Sequence, residues 1–287
     1  MLARLGDDAV AYAGGTELLL LMKEGLLRPK HLVDIKRIAG LDAIADDGGR
    51  LTIGATATHR AVERSATVRA RCPVLASAAR HVANVRVRNV GTVGGNLAFA
   101  DPHSDLATLF LALDASVQLT SPRGRRELTL DAFVRGAWET DRAPDELLTA
   151  VTCTPWRGVT GAAYVKFGLY ERPTLGVAIT LQVAPAGDGR ARVTDARIAI
   201  GCVNPRPARA RAAELRLRGG DLAELEDVIA PVATLAAESA DPADDLHGSA
   251  DYKREMVAVF TRRALRVAVA RARGASPTDR YPHAIVA

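Results

Sequence analysis

Aromatic residues are scarce: Phe, Trp and Tyr make up 4% of the 287 residues. Proteins that follow single-stranded nucleic acid stack its bases on aromatic rings, so this poverty removes the usual platform. Lysine is scarce as well. Of 38 basic residues, five are lysines (Lys23, Lys30, Lys36, Lys166, Lys253), which leaves 33 arginines. The arginines are scattered among 33 acidic residues rather than gathered into a stripe. The preference for arginine over lysine therefore reads as coding bias, and the net charge of +5 does not read as a nucleic-acid surface. The three cysteines, Cys72, Cys153 and Cys202, lie far apart and form no CxxC. Iron–sulfur and structural zinc sites within the chain are thereby disfavoured, and reduced thiols in a cytoplasmic protein are expected. Long apolar runs are missing. The longest, around Leu18–Met22, is far short of the roughly 18 residues of a membrane span, so no transmembrane segment is expected. The start, Met1–Asp8, has no apolar stretch of the secretory type.

What is present has the patterning of two domains. Ala9–Ala13 reads as a strand, Glu17–Lys23 as a helix that Thr16 can cap, and His31–Ile35 and Leu51–Ala55 as strands, the last two joined through Gly48-Gly49. Thr58–Glu63 and Pro73–Val82 read as helices, followed by a glycine-rich turn at 91–96. Ser104–Leu113 has helical spacing, and Ala115–Thr120 with Arg126–Leu130 makes a hairpin. After Pro155 three antiparallel strands are predicted (Tyr164–Leu169, Leu175–Ala184, Val193–Cys202). Three helices follow at Pro207–Leu217, Leu222–Leu235 and Tyr252–Arg273, then a tail.

Two glycine-rich turns carry the chemistry. One is Ala13-Gly14-Gly15-Thr16-Glu17-Leu18; the other is Thr92-Val93-Gly94-Gly95-Asn96. Glycine opens positive φ and removes the Cβ that would block a ligand, and consecutive N–H groups in such turns cradle an anion. Thr16, Thr92 and Asn96 could add side-chain donors. Two such turns suit a pyrophosphate held from two sides, although either alone would be an ordinary tight turn. Neither matches GxGxxG or the Walker pattern.

The longer string Asn84–Asn96, continued through Ala98-Phe99-Ala100-Asp101-Pro102-His103-Ser104-Asp105-Leu106, closely resembles the FAD-binding subunits of molybdenum hydroxylases. That is the xanthine dehydrogenase and aerobic carbon monoxide dehydrogenase type. The upstream AGGTEL resembles that family's first flavin motif, and the likeness spans about residues 9–270. It implies an α+β fold: a two-subdomain FAD-binding domain of vanillyl-alcohol-oxidase type, then a domain of three-stranded antiparallel sheet plus helical bundle. The expected boundaries are 1–157 (subdomains about 1–57 and 58–157), 158–274, and an extended tail at 275–287. By resemblance, FAD pyrophosphate rests on Ala13–Leu18 and Thr92–Asn96, Val82 and Leu148 flank the adenine, Asp105 bonds the cofactor's hydroxyls, and Lys166 reaches the isoalloxazine edge. Lys166→Met is then expected to retain FAD, lower its potential and disturb packing little. Valine at Gly15 or Gly95 is expected to abolish FAD retention.

The resemblance also implies partners: a large subunit with a molybdopterin cofactor, a small subunit with two two-iron two-sulfur clusters, and an external electron acceptor. No catalytic residue and no metal ligand is expected in this chain. His59, His81 and His103 receive no role, and Tyr164 and Tyr170 read as packing residues. Two departures stand out. Only twelve residues precede Ala13, so the first subdomain is expected to be incomplete. Tyr170, with Arg172 nearby, stands where many relatives have arginine. A stand-alone FAD oxidase and a non-enzymatic binding module remain the alternatives.

Overall fold

The computed structural model describes residues 1–168, 172–187, 189–275, 281 and 283–287. Leu169, at the end of a predicted strand, and Tyr170 lie outside them, as does part of the predicted tail. The chain forms two compact units, Met1–Asp101 with Asp114–Pro155, and Pro102–Leu113 with Trp156–Ala287. The predicted boundary near 157 treats the chain as contiguous domains, whereas here residues 102–113 belong with the second unit.

The first unit opens with α1 (Leu2–Leu5), β1 (Ala9–Tyr12), α2 (Leu18–Lys23) and β2 (His31–Asp34). β1 and β2 pair in parallel, with Tyr12 opposite Asp34. Parallel pairing needs a crossover, and α2 provides it. Thr16 does not cap α2: Glu17 holds that position and makes no side-chain cap bond. A strand not anticipated, β3 (Ile44–Asp47), forms a hairpin with β4 (Arg50–Gly54). Its sequence, IADD, is a poor strand former that pairing overrides.

A run of short helices follows: α3 (His59–Arg64), α4 (Ala66–Arg71), α5 (Pro73–Arg80), α6 (Val85–Val90) and α7 (Val93–Phe99). Thr58, Ser65, Asn84 and Thr92 cap four of them through side-chain oxygens, and Pro73 begins the fifth. The predicted turn at Gly94-Gly95 is thus the first turn of α7. The chain next forms α8 (Asp105–Ala112) of the second unit and returns through β5 (Ser116–Ser121), β6 (Gly124–Thr129), α9 (Leu130–Phe133), β7 (Val134–Gly136), β8 (Glu139–Thr140) and β9 (Leu147–Cys153). The main sheet has the order β3-β4-β9-β5-β6, all antiparallel. Leu51, Ile53, Val117, Leu119, Leu148 and Val151 bury its centre.

The second unit has β10 (Val159–Phe167), β11 (Leu175–Pro185), β12 (Ala191–Gly201), β13 (Ala208–Arg209), α10 (Arg211–Leu217), α11 (Glu226–Glu238), α12 (Ala250–Ala272) and β14 (Ala284–Val286). The three long strands form the predicted antiparallel meander, and short strands join both edges to give β13-β12-β11-β10-β14. The tail therefore ends paired, Val286 opposite Val165. Val177, Ile179, Ile198 and Ile200 share a core with Val232, Phe260, Ala264 and Leu265 of the helices. α8 packs on β11 and β12, and all its residues are buried, as expected of a helix apolar on nearly every side. Among the described residues, no helix is long and apolar enough to cross a membrane.

Candidate functional site

The two glycine motifs meet. An ideal Cβ on Gly14 would collide with the Val90 carbonyl oxygen and lie 2.8 Å from Gly91 Cα, so only glycine permits this approach. Gly15 has φ of 72°, and the Tyr12 ring lies across it, 2.6 Å from where a Cβ would stand. The turn leaves donors open: among the described residues, the N–H groups of Gly14, Gly15 and Thr16 have no hydrogen-bond partner. Open, consecutive N–H groups around one left-handed glycine form a concavity that receives an anion.

The second motif differs from expectation. The N–H groups of Val93 and Gly94 donate to Ala57 and Ala55 carbonyls at 2.9 and 2.8 Å. Those of Gly95 and Asn96 donate to Thr92, at its Oγ1 and its carbonyl. The first turn of α7 has therefore spent its donors on the chain itself. With His59 N–H donating to the Gly91 carbonyl at 3.0 Å, residues 55–59 are zipped to 91–94. This motif ties Val90-Gly91 to residues 55–59 while spending the N–H groups of Val93–Asn96; among the described residues the N–H of Thr92 has no partner. Val82 and Leu148 are buried in the same unit.

Asp105 and Lys166 belong to the second unit, where they form a buried ion pair. Lys166 Nζ donates to Asp105 Oδ2 at 2.9 Å, and the residues are 2% and 5% exposed. Ser104 caps α8, and Asp105 is its first residue. Tyr164, read as packing only, donates its hydroxyl to Asp105 Oδ1 at 2.6 Å. Burial first, then the neighbouring Asp105 charge, pushes the phenol well above its usual pKa, so it stays a donor. The signal was available: residues two apart on a strand share a face, so Tyr164 and Lys166 point the same way. Lys166 is thus not an isolated cation, because its charge is matched by Asp105.

His59 is 3% exposed and, among the described residues, its buried Nδ1 has no partner. Burial, then repulsion from Arg88, lowers its pKa from 6.5 to about 4. Between those values the unfolded chain binds more protons than the folded one, so stability falls as pH falls through that window. From pH 7 to 5 this group is expected to remove about 2 kcal/mol from the first unit. Denaturant titrations of the parent and of His59→Phe at both pH values check it; equal acid losses in the two proteins would contradict it.

The chain is similar to known proteins along most of its length. Residues 1–155 match the family described as FAD binding domain in molybdopterin dehydrogenase, and residues 171–268 match the CO dehydrogenase flavoprotein C-terminal domain. The carbon monoxide dehydrogenase medium chain of Hydrogenophaga pseudoflava is 35% identical, with 94% of this chain and 93% of that one covered. The nicotine 6-hydroxylase medium subunit of Paenarthrobacter nicotinovorans is 33% identical over 92% and 91%. Among solved structures, carbon monoxide dehydrogenase from Hydrogenophaga pseudoflava lacking the Mo-pyranopterin moiety superimposes with a TM-score of 0.88 at 36% identity, covering 94% and 92%. Quinoline 2-oxidoreductase from Pseudomonas putida 86 gives 0.86 at 31% identity, covering 94% and 92%. A glycine turn with open donors, braced by a second glycine motif, fits the pyrophosphate of FAD, and the chain belongs to the FAD-binding medium subunits of the molybdenum hydroxylase family of oxidoreductases.

Proposed function

We propose that this chain is the electron-transfer subunit of a three-part molybdenum hydroxylase in the cytoplasm. A large subunit with a molybdopterin cofactor would oxidise the substrate. A small subunit with two two-iron two-sulfur clusters would deliver electrons to the flavin carried here, and an external acceptor would remove them. The observation that carries this reading is the junction of the two glycine motifs, with unpartnered N–H groups at Gly14–Thr16.

When bound, FAD supplies the redox chemistry, so the chain needs no catalytic acid or base of its own. The work of the chain's residues is to bind and orient. Ala13–Leu18 take the pyrophosphate on main-chain donors. Thr92–Asn96 hold that turn in place. By the resemblance, Val82 and Leu148 flank the adenine, and Asp105 and Lys166 stay candidates for the cofactor's hydroxyls and ring edge.

The test is purification of the native assembly with FAD, iron and molybdenum counted together. Co-purification of all three with this chain is expected. An isolated chain that oxidises a small organic substrate at enzyme-like rates would contradict the subunit reading.

A further inference from the structure

A cation stands beside the open turn. Ile35 N–H donates to the Tyr12 carbonyl at 3.0 Å, and Tyr12 pairs with Asp34 across the parallel strands. This register brings the residue after Ile35 to the start of the first glycine motif. Lys36 Nζ lies over the Tyr12 ring, 3.9 Å from its centroid. The same ring lies across Gly15, 2.6 Å from the position a Cβ would take. A full positive charge therefore sits one aromatic ring away from unpartnered N–H groups, on a turn whose chemistry calls for an anion.

Within the chain, Lys36 has only a weak claim on its charge. Its ammonium pairs with Asp34 Oδ1 at 3.0 Å, and the two side chains are 43% and 48% exposed. Exposed pairs of this kind contribute little, so exchanging Asp34 for a stronger anion is cheap. The same Asp34 oxygen accepts the Lys36 N–H at 2.9 Å, which fixes the lysine's backbone whether or not the ammonium stays. The backbone bond, then the ammonium, holds the Asp34 carboxyl below the usual carboxylate range. A diphosphate offers two charges and more acceptor atoms than one carboxylate, and charge-assisted bonds to it are the stronger kind.

We propose that Lys36 is a further binding residue of the cradle, moving from Asp34 to the diphosphate of the bound dinucleotide. The Tyr12 ring is the platform over which the ammonium lies. This rests on the reading of the first glycine motif as the FAD pyrophosphate site.

Affinities of FAD and of ADP for the purified full chain, at low and high salt, test it. Lys36→Met is expected to weaken both ligands about tenfold at low salt, with the loss shrinking as salt screens the charge. Lys36→Arg is expected to restore most of the affinity. Asp34→Asn keeps an acceptor for the Lys36 N–H but releases the ammonium, and is expected to tighten both ligands about twofold to threefold. A role confined to holding β2 against Tyr12 would give a loss independent of salt and no tightening in Asp34→Asn, and either result overturns the proposal. Lys36→Met binding within twofold of the parent at low salt overturns it too, while leaving the cofactor reading intact. A parent chain that is folded and binds neither FAD nor ADP overturns both.

Discussion

Replacing Lys166 by Met is expected to destabilise the second unit by about 3–5 kcal/mol, the usual cost of removing one partner from a buried ion pair. The reason lies in what stays behind: Asp105 is buried, it keeps the Tyr164 hydroxyl at 2.6 Å, and it loses the buried cation that faces its Oδ2. The carboxylate must then remain charged in a poor dielectric or take up a proton. Chain volume is well conserved by Met, so the loss isolates the charge. Adding Asp105→Asn to Lys166→Met should recover most of it, because Asn keeps an oxygen for Tyr164 and carries no charge. Hydrogen exchange of the β10–β12 amides under increasing denaturant measures the second unit by itself. A single variant as stable as the parent, or a double variant no better than the single, would contradict this account. The sequence-based expectation that Lys166→Met changes packing little is kept; the buried pair with Asp105 adds an electrostatic cost to it.

The second large effect is expected at Gly14. A Cβ there meets the Val90 carbonyl and Gly91 Cα, both backbone and neither able to swing aside. Gly14→Ala should therefore push the motifs apart, costing the first unit about 2–3 kcal/mol and abolishing FAD retention. Gly95→Ala is the control. Its Cβ would meet only the Thr92 hydroxyl oxygen at 2.8 Å, so the loss is limited to weakening the α7 cap, about 1 kcal/mol. This separates two glycines that sequence alone treats alike. Flavin occupancy of the two variants after identical purification is the measurement; equal occupancy would overturn the division into a binding turn and a bracing turn.

Legibility followed the strength of local signals. The β10–β12 meander is written in long β-branched runs with a turn at 185–189, and α8 in apolar residues at helical spacing, so both could be read. Residues 84–96 could not. Val85–Val90 alternates branched and basic residues, which suits a strand as well as a helix, and Gly94-Gly95 opposes helix formation. There the Asn84 and Thr92 caps and the close approach to Ala55 decide for helix. Which donors remain free was equally hidden, because it depends on residues 55–59 lying antiparallel against 91–94. The glycine motifs were legible as motifs; their different roles are a product of tertiary pairing. Lys36 was invisible for the same reason, since it reaches Tyr12 only through the β1–β2 register.

Whether the open turn at Gly14–Thr16 holds a flavin dinucleotide is tested directly by equilibrium titration of the folded full chain with FAD, with riboflavin as the control that lacks the diphosphate. Saturable binding of one FAD per chain, far tighter than riboflavin, is the expected result; a folded chain that takes up no FAD, or binds riboflavin equally well, would contradict it.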